Sequence, residues 1–422
     1  MSGLDRVPIP SQSARAHAWN PSPPGGSGAG DTMNLRSKLF LDYYVGGFLH
    51  AVLRIPTVLL GKLLRRDHEL LRCREIAILK LLGGGSLVIA YPALLALRRL
   101  PSLEKLTLVT SPAIAPFGAL LGVFDEIVVV RDNRGVITLA ADSVRAFRKL
   151  FRHGALIDLE IHSRLTTVFA LLTAARNRIG FFTNISFWRR YLNTHLLFCN
   201  ITNGIYDFYD QLAALFGASP VDAGDCEREF RSSLGEHAFE PGPFRVAIAP
   251  ACSGLSKERM LRPEEWVEVV AQRIARCQSA TVDLHLLGGP SDRAETEQLG
   301  DLLKARFRGR ATVHNHAGQT SLRESVQIIA AMDEVLCIDS ALLHFSRLLG
   351  RPTVSFWGPT DPRTLMRPNG RGSDEVHYVK IPCSPCVHMS HQPPCKGQNI
   401  CMRLAVDPAA PLPRNQPWVL QG

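Results

Sequence analysis

Aromatic residues are scarce in this 422-residue chain, at 7%, and no RNA- or DNA-binding signature accompanies its basic charge. Nucleic acid is therefore set aside as a partner. Residues 1–32 lack the apolar core of a secretory signal. They are rich in Pro, Gly and Ser ("NPSPPGGSGAGDT") and are read as a disordered extension, with Met33 as an alternative start. The glycines of "LLGGGSLVIAYPAL" (Leu81–Leu94) have no Lys-Ser/Thr after them, which excludes a P-loop. Their spacing is not that of a dinucleotide fingerprint either. The Tyr-x-x-x-Lys pair that a nucleotide-sugar epimerase would need is also absent. Between Leu35 and Arg66 the longest uncharged run is Tyr43–Leu53, well short of the roughly 20 residues of a spanning helix.

What is present is an apolar, globular chain. Hydrophobic residues make up 46%, and the length suits two domains plus extensions. The net charge is +10, of which +7 lies in residues 1–100. Six of the ten cysteines (Cys73, Cys199, Cys226, Cys252, Cys277 and Cys337) are scattered among apolar neighbours. They are read as buried free thiols of a reducing compartment. Residues 33–70 form an amphipathic segment, expected as two helices broken near Pro56. Leu49, Val52 and Leu53 share one face, and Leu59, Leu60, Leu63 and Leu64 another. Lys38, Arg54, Lys62, Arg65 and Arg66 are placed to meet anionic headgroups. The alternative is a helical hairpin packed on the body.

From Arg74 short apolar strands alternate with helical patterns: "EIAILKLL", "KLTLVTS", "DEIVVVR", "ALIDLEIH", and later "FRVAIAP", "TVDLHLLGG", "ATVHNHAG", "EVLCID" and "TVSFWG". That alternation predicts parallel sheets covered on both faces. The polar stretch "GEHAFEPGP" divides them, giving two Rossmann-like domains, 71–240 and 241–370, that face a cleft. Residues 371–422 form a Cys-rich segment and a Pro-rich tail.

The most specific stretch is "CIDSALLHFSRLLGRPTVSFWGPTDPRTLMRP", Cys337–Pro368. A strand ends in Asp339, a helix begins near Ser340, and His344 lies one turn in. The free N–H groups of that helix start suit an anion, and Asp339 suits sugar hydroxyls. The plainer reading is an Asp-Ser helix cap and a satisfied histidine.

Together these residues resemble glycosyltransferase family 9, the heptosyltransferases of lipopolysaccharide core synthesis. Asp339, Ser340, His344, Gly350, Pro352, Gly358, Pro359, Thr360 and Pro362 match its pattern, with Ala341 and Leu342 in place of the usual Gly and Pro. The resemblance implies a GT-B fold, a nucleoside-diphosphate sugar donor such as ADP-heptose, and a glycolipid or glycan acceptor. "APACSGLSKERMLRPEEW" resembles the segment opening the donor half. It puts Ser256 and Lys257 on the donor, with Lys257 at the phosphate-contacting position; taken alone, Lys257 is a surface lysine. In "LHLLGGPSDRAETEQL" Asp292 is a ribose-hydroxyl acceptor or a surface acid. In "HAGQTSLRESVQIIAAMD" Thr320 or Ser321 caps a helix, and Glu324 completes a capping box.

In the first half the glycine loop matches through Gly85 and Pro92-Ala93-Leu94, so Gly84, Gly85 and Ser86 form an acceptor-side loop. The family's aspartate, the general base toward the acceptor hydroxyl, is replaced here by Ser86. A serine cannot take that proton unaided. Glu160, in "ALIDLEIHSRLTTVFALLTAARNRIGF", is the candidate replacement, ahead of His162 or Asp158. The alternative is that Glu160 pairs with Arg164 four residues on. Catalysis would then rest on Glu160, Lys257 and His344, with no cofactor. The tail "CSPCVHMSHQPPCKGQNIC" spaces Cys383, Cys386, Cys395 and Cys401 as four thiolates of a structural zinc knuckle, with His388 and His391 inside. Reduced cysteines packing a loop are the alternative. "LAVDPAAPLPRNQPWVLQG" is expected to be poorly helical, without the helix that closes relatives. The sequence thus predicts a metal-independent transferase, peripheral on the cytoplasmic face of the inner membrane. Its rival is a catalytically silent member that binds nucleotide-sugar or glycan.

Overall fold

Two six-stranded, wholly parallel sheets organise the chain in the computed structural model. It describes residues 35–64, 67–183, 186–235, 242–252, 256–279, 281–370, 373–387, 393, 395 and 397–411. The extension 1–32, Met33, Arg65, Arg66, the divide near 240, His388, His391 and the last part of the tail lie outside those residues.

The first sheet contains β1 (Glu75–Lys80), β2 (Lys105–Thr110), β3 (Glu126–Val129), β4 (Ala155–Asp158), β5 (Asn177–Phe182) and β6 (His195–Phe198), in the order β3-β2-β1-β4-β5-β6. The second contains β7 (Phe244–Ala249), β8 (Val282–Leu286), β9 (Ala311–Asn315), β10 (Glu334–Ile338), β11 (Thr353–Trp357) and β12 (Asp374–Tyr378), in the order β12-β11-β10-β7-β8-β9. Each is the doubly wound order, so each reverses direction once, between β1 and β4 and between β7 and β10. Loops leaving those strands at their carboxyl ends diverge and leave a crevice. Ile76–Leu79 of β1, all of β4 and all of β10 are buried, as strands covered on both faces should be.

Strands β6 and β12 were not anticipated. "HLLF" is short and half-exposed, and "DEVHY" is a charged edge strand; neither shows the apolar run of a covered strand. The halves share one apolar cluster. Phe345 stacks on Phe117 and on Phe230, at centroid separations of 6.0 and 5.7 Å. A bidentate Arg367–Asp210 pair (2.7 and 2.6 Å) joins them at the rim.

The N-terminal segment departs from expectation. There is no break at Pro56: one helix runs through it, from Gly47 to Leu64, and the irregularity is a π-helical turn at Asp42–Gly46. Proline removes the N–H that would reach the Val52 carbonyl, and Val52 is exposed on the outer side of the helix, where solvent can take that bond. Including the π-turn, Ser37–Leu64 is long and apolar enough to cross a membrane by length and composition alone. Lys38 is engaged within the protein instead of standing free as expected, whereas Arg54 is exposed. Lys38 pairs with Asp132 (2.6 Å), and Arg54 lies over the Tyr191 ring. The tail is more helical than expected at its start, with Ile400–Val406 packed under β11 and β12.

Candidate active site

At the end of β1 the chain must turn sharply, and Gly83 supplies a left-handed φ of +75°. The helix Gly84–Ile89 follows. Here the glycines make room for protein. A Cβ on Gly84 would lie 2.6 Å from the Phe117 ring, and one on Gly85 would lie 3.2 Å from His344 Cδ2. The loop is thus where the donor-side helix Ala341–Leu348 docks. Ser86 is hydrogen-bonded to the buried Tyr209, whose phenol is pushed well above its usual range by burial.

Glu160 follows β4 and reaches back to this loop. Its Oε1 accepts from the Leu81 and Leu82 amides (2.7 and 2.9 Å), with Lys80 Nζ 3.4 Å away. The Arg164 alternative is therefore overturned. Arg164 donates to the Tyr43 carbonyl (2.9 Å) and lies over the Tyr43 ring, because Asp42 caps the start of its helix and holds the N-terminal segment there. Asp158 is fully buried. It pairs with Arg189 and accepts from Thr166 Oγ1 (2.9 Å) and the Glu160 amide (3.0 Å). Arg189 also donates to the carbonyls of Phe181 and Glu160 (3.0 Å each), so this pair sets the strand ends rather than facing a substrate.

On the other side β10 delivers Asp339 and Ser340 into the crevice. Asp339 Oδ2 accepts from Thr360 Oγ1 (2.7 Å) and from Arg259 (3.1 Å), which also donates to the Asp339 carbonyl (2.9 Å). Its Oδ1 lies 3.8 Å from His344 Nε2. Thr360 is placed by the turn after β11. A Cβ on Gly358 would lie 2.6 Å from Cys401 Sγ, the Ser384 hydroxyl donates to the Gly358 carbonyl, and the Cys386 amide donates to Pro359 (3.0 Å). The cysteine segment therefore clamps this turn. Burial and neighbouring sulfurs push the Cys386 thiol up to about 11 and Cys401 up to about 12. Zinc would need the four sulfurs within about 3.8 Å of one another. Among the described residues they do not contract to ligand spacing.

The remaining donor-side candidates separate. Ser256 is buried and donates to Glu258 (3.1 Å). Lys257 is exposed, and its ammonium has no partner among the described residues. Asp292 caps its own turn, accepting from the Gly289 amide (2.8 Å) and Ser291 (3.1 Å). Ser321 and Glu324 form the expected capping box. The Ser340 hydroxyl is buried at the helix start with no hydrogen-bond partner among the described residues. A buried hydroxyl left unmatched is a place for a ligand oxygen.

Burial lowers the His344 imidazole to about 4. Its folded value lies below its unfolded one, so its contribution to stability is complete above about pH 6.5 and is lost as pH falls toward 4. Lowering the pH from 7 to 5 is expected to cost about 2 kcal/mol through this group. The loss should be smaller in His344→Asn, as read by urea unfolding at the two pH values.

Residues 208–396 match the model of glycosyltransferase family 9 (heptosyltransferase). That match covers a little under half of the chain. Over 78 residues it is 33% identical to lipooligosaccharide heptosyltransferase 2 of Haemophilus influenzae, a match spanning 18% of this chain and 22% of that protein. Its fold is similar to that of Escherichia coli ADP-heptose lipopolysaccharide heptosyltransferase II, with a TM-score of 0.56 and 16% identity over 72% of this chain and 90% of that one. Escherichia coli heptosyltransferase WaaC with ADP gives the same TM-score and identity over 73% and 93%. These neighbours fix the architecture as GT-B. The matched region contains Asp339, Ser340, His344 and Thr360, and also Arg259, which sequence reasoning missed. Arg259 lies two residues past Lys257 in "SKER", and a 3-10 turn brings it to Asp339. Tyr209 was also missed, as an apolar-face residue of the helix Ile205–Leu215.

Proposed function

We propose that this chain is an inverting glycosyltransferase that moves a sugar from a nucleoside-diphosphate donor to a lipopolysaccharide-type glycolipid or glycan. The observation that carries this is the unpartnered Ser340 hydroxyl at a buried helix start, beside the Asp339–Arg259–Thr360 group. The donor diphosphate would lie on that helix start, where backbone N–H groups favour anions. Lys257 would swing onto the phosphates as negative charge develops. His344, kept neutral by burial, would stand beside the diphosphate without adding charge. Glu160 would take the acceptor proton while the acceptor oxygen bonds the anomeric carbon and the carbon–phosphate oxygen bond breaks. Because Lys257 and the helix start supply the countercharge, the step as proposed needs no metal. ADP-heptose is the first donor to test, since similar folds are named for it or hold ADP. The cysteine segment would serve as the clamp of the Gly358–Thr360 turn; structural zinc, its candidate ligand, would have to draw the four sulfurs together.

A panel of nucleoside-diphosphate sugars, assayed for transfer to core glycolipid and for nucleotide release, tests the reading. Turnover with one donor is expected; failure of every donor to bind would contradict it. The engagement of Ser86 by Tyr209 favours a second reading, a silent donor-binding member, which predicts binding without turnover.

We infer attachment at the cytoplasmic membrane surface through Ser37–Leu64. Residues 38–54 are tied to the first half by Lys38–Asp132, by Asp42 on the next helix start and by the His50 bond to the Trp188 carbonyl (2.5 Å). The untethered remainder, residues 55–64, spans only about 15 Å, half a hydrocarbon core. Along the whole helix the exposed Phe48, Val52, Ile55, Leu59 and Leu63 form an apolar face suited to lying in the interface. Leu59→Glu with Leu63→Glu is expected to weaken binding to phosphatidylglycerol-containing vesicles tenfold or more in flotation. Unchanged flotation would contradict the inference.

A further inference from the structure

Strands β8 and β9 pair with His285 directly opposite His314. Asp283 lies two residues before His285 on the same face, and His316 lies two residues past His314. The His285 and His314 rings stack at 4.8 Å, and His285 Nδ1 lies 3.0 Å from His316 Nε2. One donor atom from each of Asp283, His285 and His314 lies within 4.8 Å of the others, and among the described residues this is the group at ligand spacing. Asp283 is half-buried, His285 buried and His314 exposed, so the group has a rigid floor and an open mouth.

We propose that Asp283, His285 and His314 form a binding site for a divalent transition cation. Two imidazoles and one carboxylate suit Zn, Co, Ni or Cu ions rather than Mg or Ca, which favour all-oxygen sites. His316 serves as the outer partner that orients the His285 ring. The position also has a consequence for the crevice. β8 leads into the turn at Gly288–Asp292 and β9 into the turn at Ala317–Thr320, and the Gly318 amide donates to the Gly288 carbonyl (3.0 Å). A cation across β8 and the edge strand β9 would fasten both turns. It is a structural site, independent of the cysteine segment and of the transfer chemistry.

Titration of the full chain with Co(II), followed by absorption, separates the two metal candidates. Thiolate ligation gives sulfur-to-metal charge-transfer bands in the near ultraviolet, and imidazole–carboxylate ligation does not. This site is expected to take up one equivalent without those bands, and any uptake by the cysteine segment adds a separate equivalent with them. His314→Ala alters an exposed residue, so the fold should persist by circular dichroism while affinity falls about 100-fold. His316→Ala should lower it about tenfold. Asp283→Asn provides a second ligand variant, also expected to bind more weakly. No uptake, uptake with the thiolate bands alone, or unchanged affinity in both ligand variants overturns the proposal.

Discussion

Replacing Glu160 by glutamine is expected to lower kcat by about 100-fold or more while donor affinity stays near that of the parent chain. The amide oxygen of glutamine can still accept from Leu81 and Leu82, so the loop keeps its anchor. What disappears is the capacity to take a proton, together with the countercharge of the buried Lys80, which costs some stability but leaves the loop anchored. Glu160→Ala removes both functions and is expected to lower stability as well, because two backbone N–H groups lose their partner. If Glu160 only anchors the loop, the order reverses: glutamine is silent in turnover, and alanine loses stability. The pair of variants therefore separates a base from a brace.

Arg259→Ala is expected to destabilise the donor half by about 3 kcal/mol and to abolish detectable transfer. Arg259 is the cation against Asp339, whose side chain is only 5% exposed. Without it a buried carboxylate keeps Thr360 but loses its countercharge. Adding Asp339→Asn to Arg259→Ala removes the stranded charge and should recover most of the stability without recovering transfer. Earlier urea unfolding in the single variant, reversed in the double, is the expected pattern. Equal unfolding of all three proteins would show that the pair contributes nothing to the site.

Much of the second half was legible because its motifs are local. Asp339, Ser340 and His344 lie within one strand-helix junction, and strand alternation alone brings that junction to a sheet's carboxyl edge. Arg259 was not legible, since its partner is 80 residues away and only a 3-10 turn aims it. Glu160 was recognised as an unusual acid, but its nearest charged neighbour is Lys80, brought beside it by β1–β4 pairing, and Arg164 is drawn elsewhere by the N-terminal segment. The N-terminal helix was misread at Pro56 because an isolated proline signals a break. A missing N–H on a largely exposed helix costs less than that rule implies, because the carbonyl it leaves unpaired is on a residue open to solvent. Ser86 was recognised as a departure from the family's aspartate, yet its bond to Tyr209 depends on a residue 123 positions away that only the fold brings near.

The central claim is that a donor diphosphate occupies the start of the helix Ala341–Leu348. A structure determined with ADP-heptose, or with whichever donor the panel selects, tests it most directly. The account predicts phosphate oxygens on the Ser340 hydroxyl and the first amides of that helix, with Lys257 folded onto them. Density for the nucleotide elsewhere, with Ser340 still unpartnered, would contradict it.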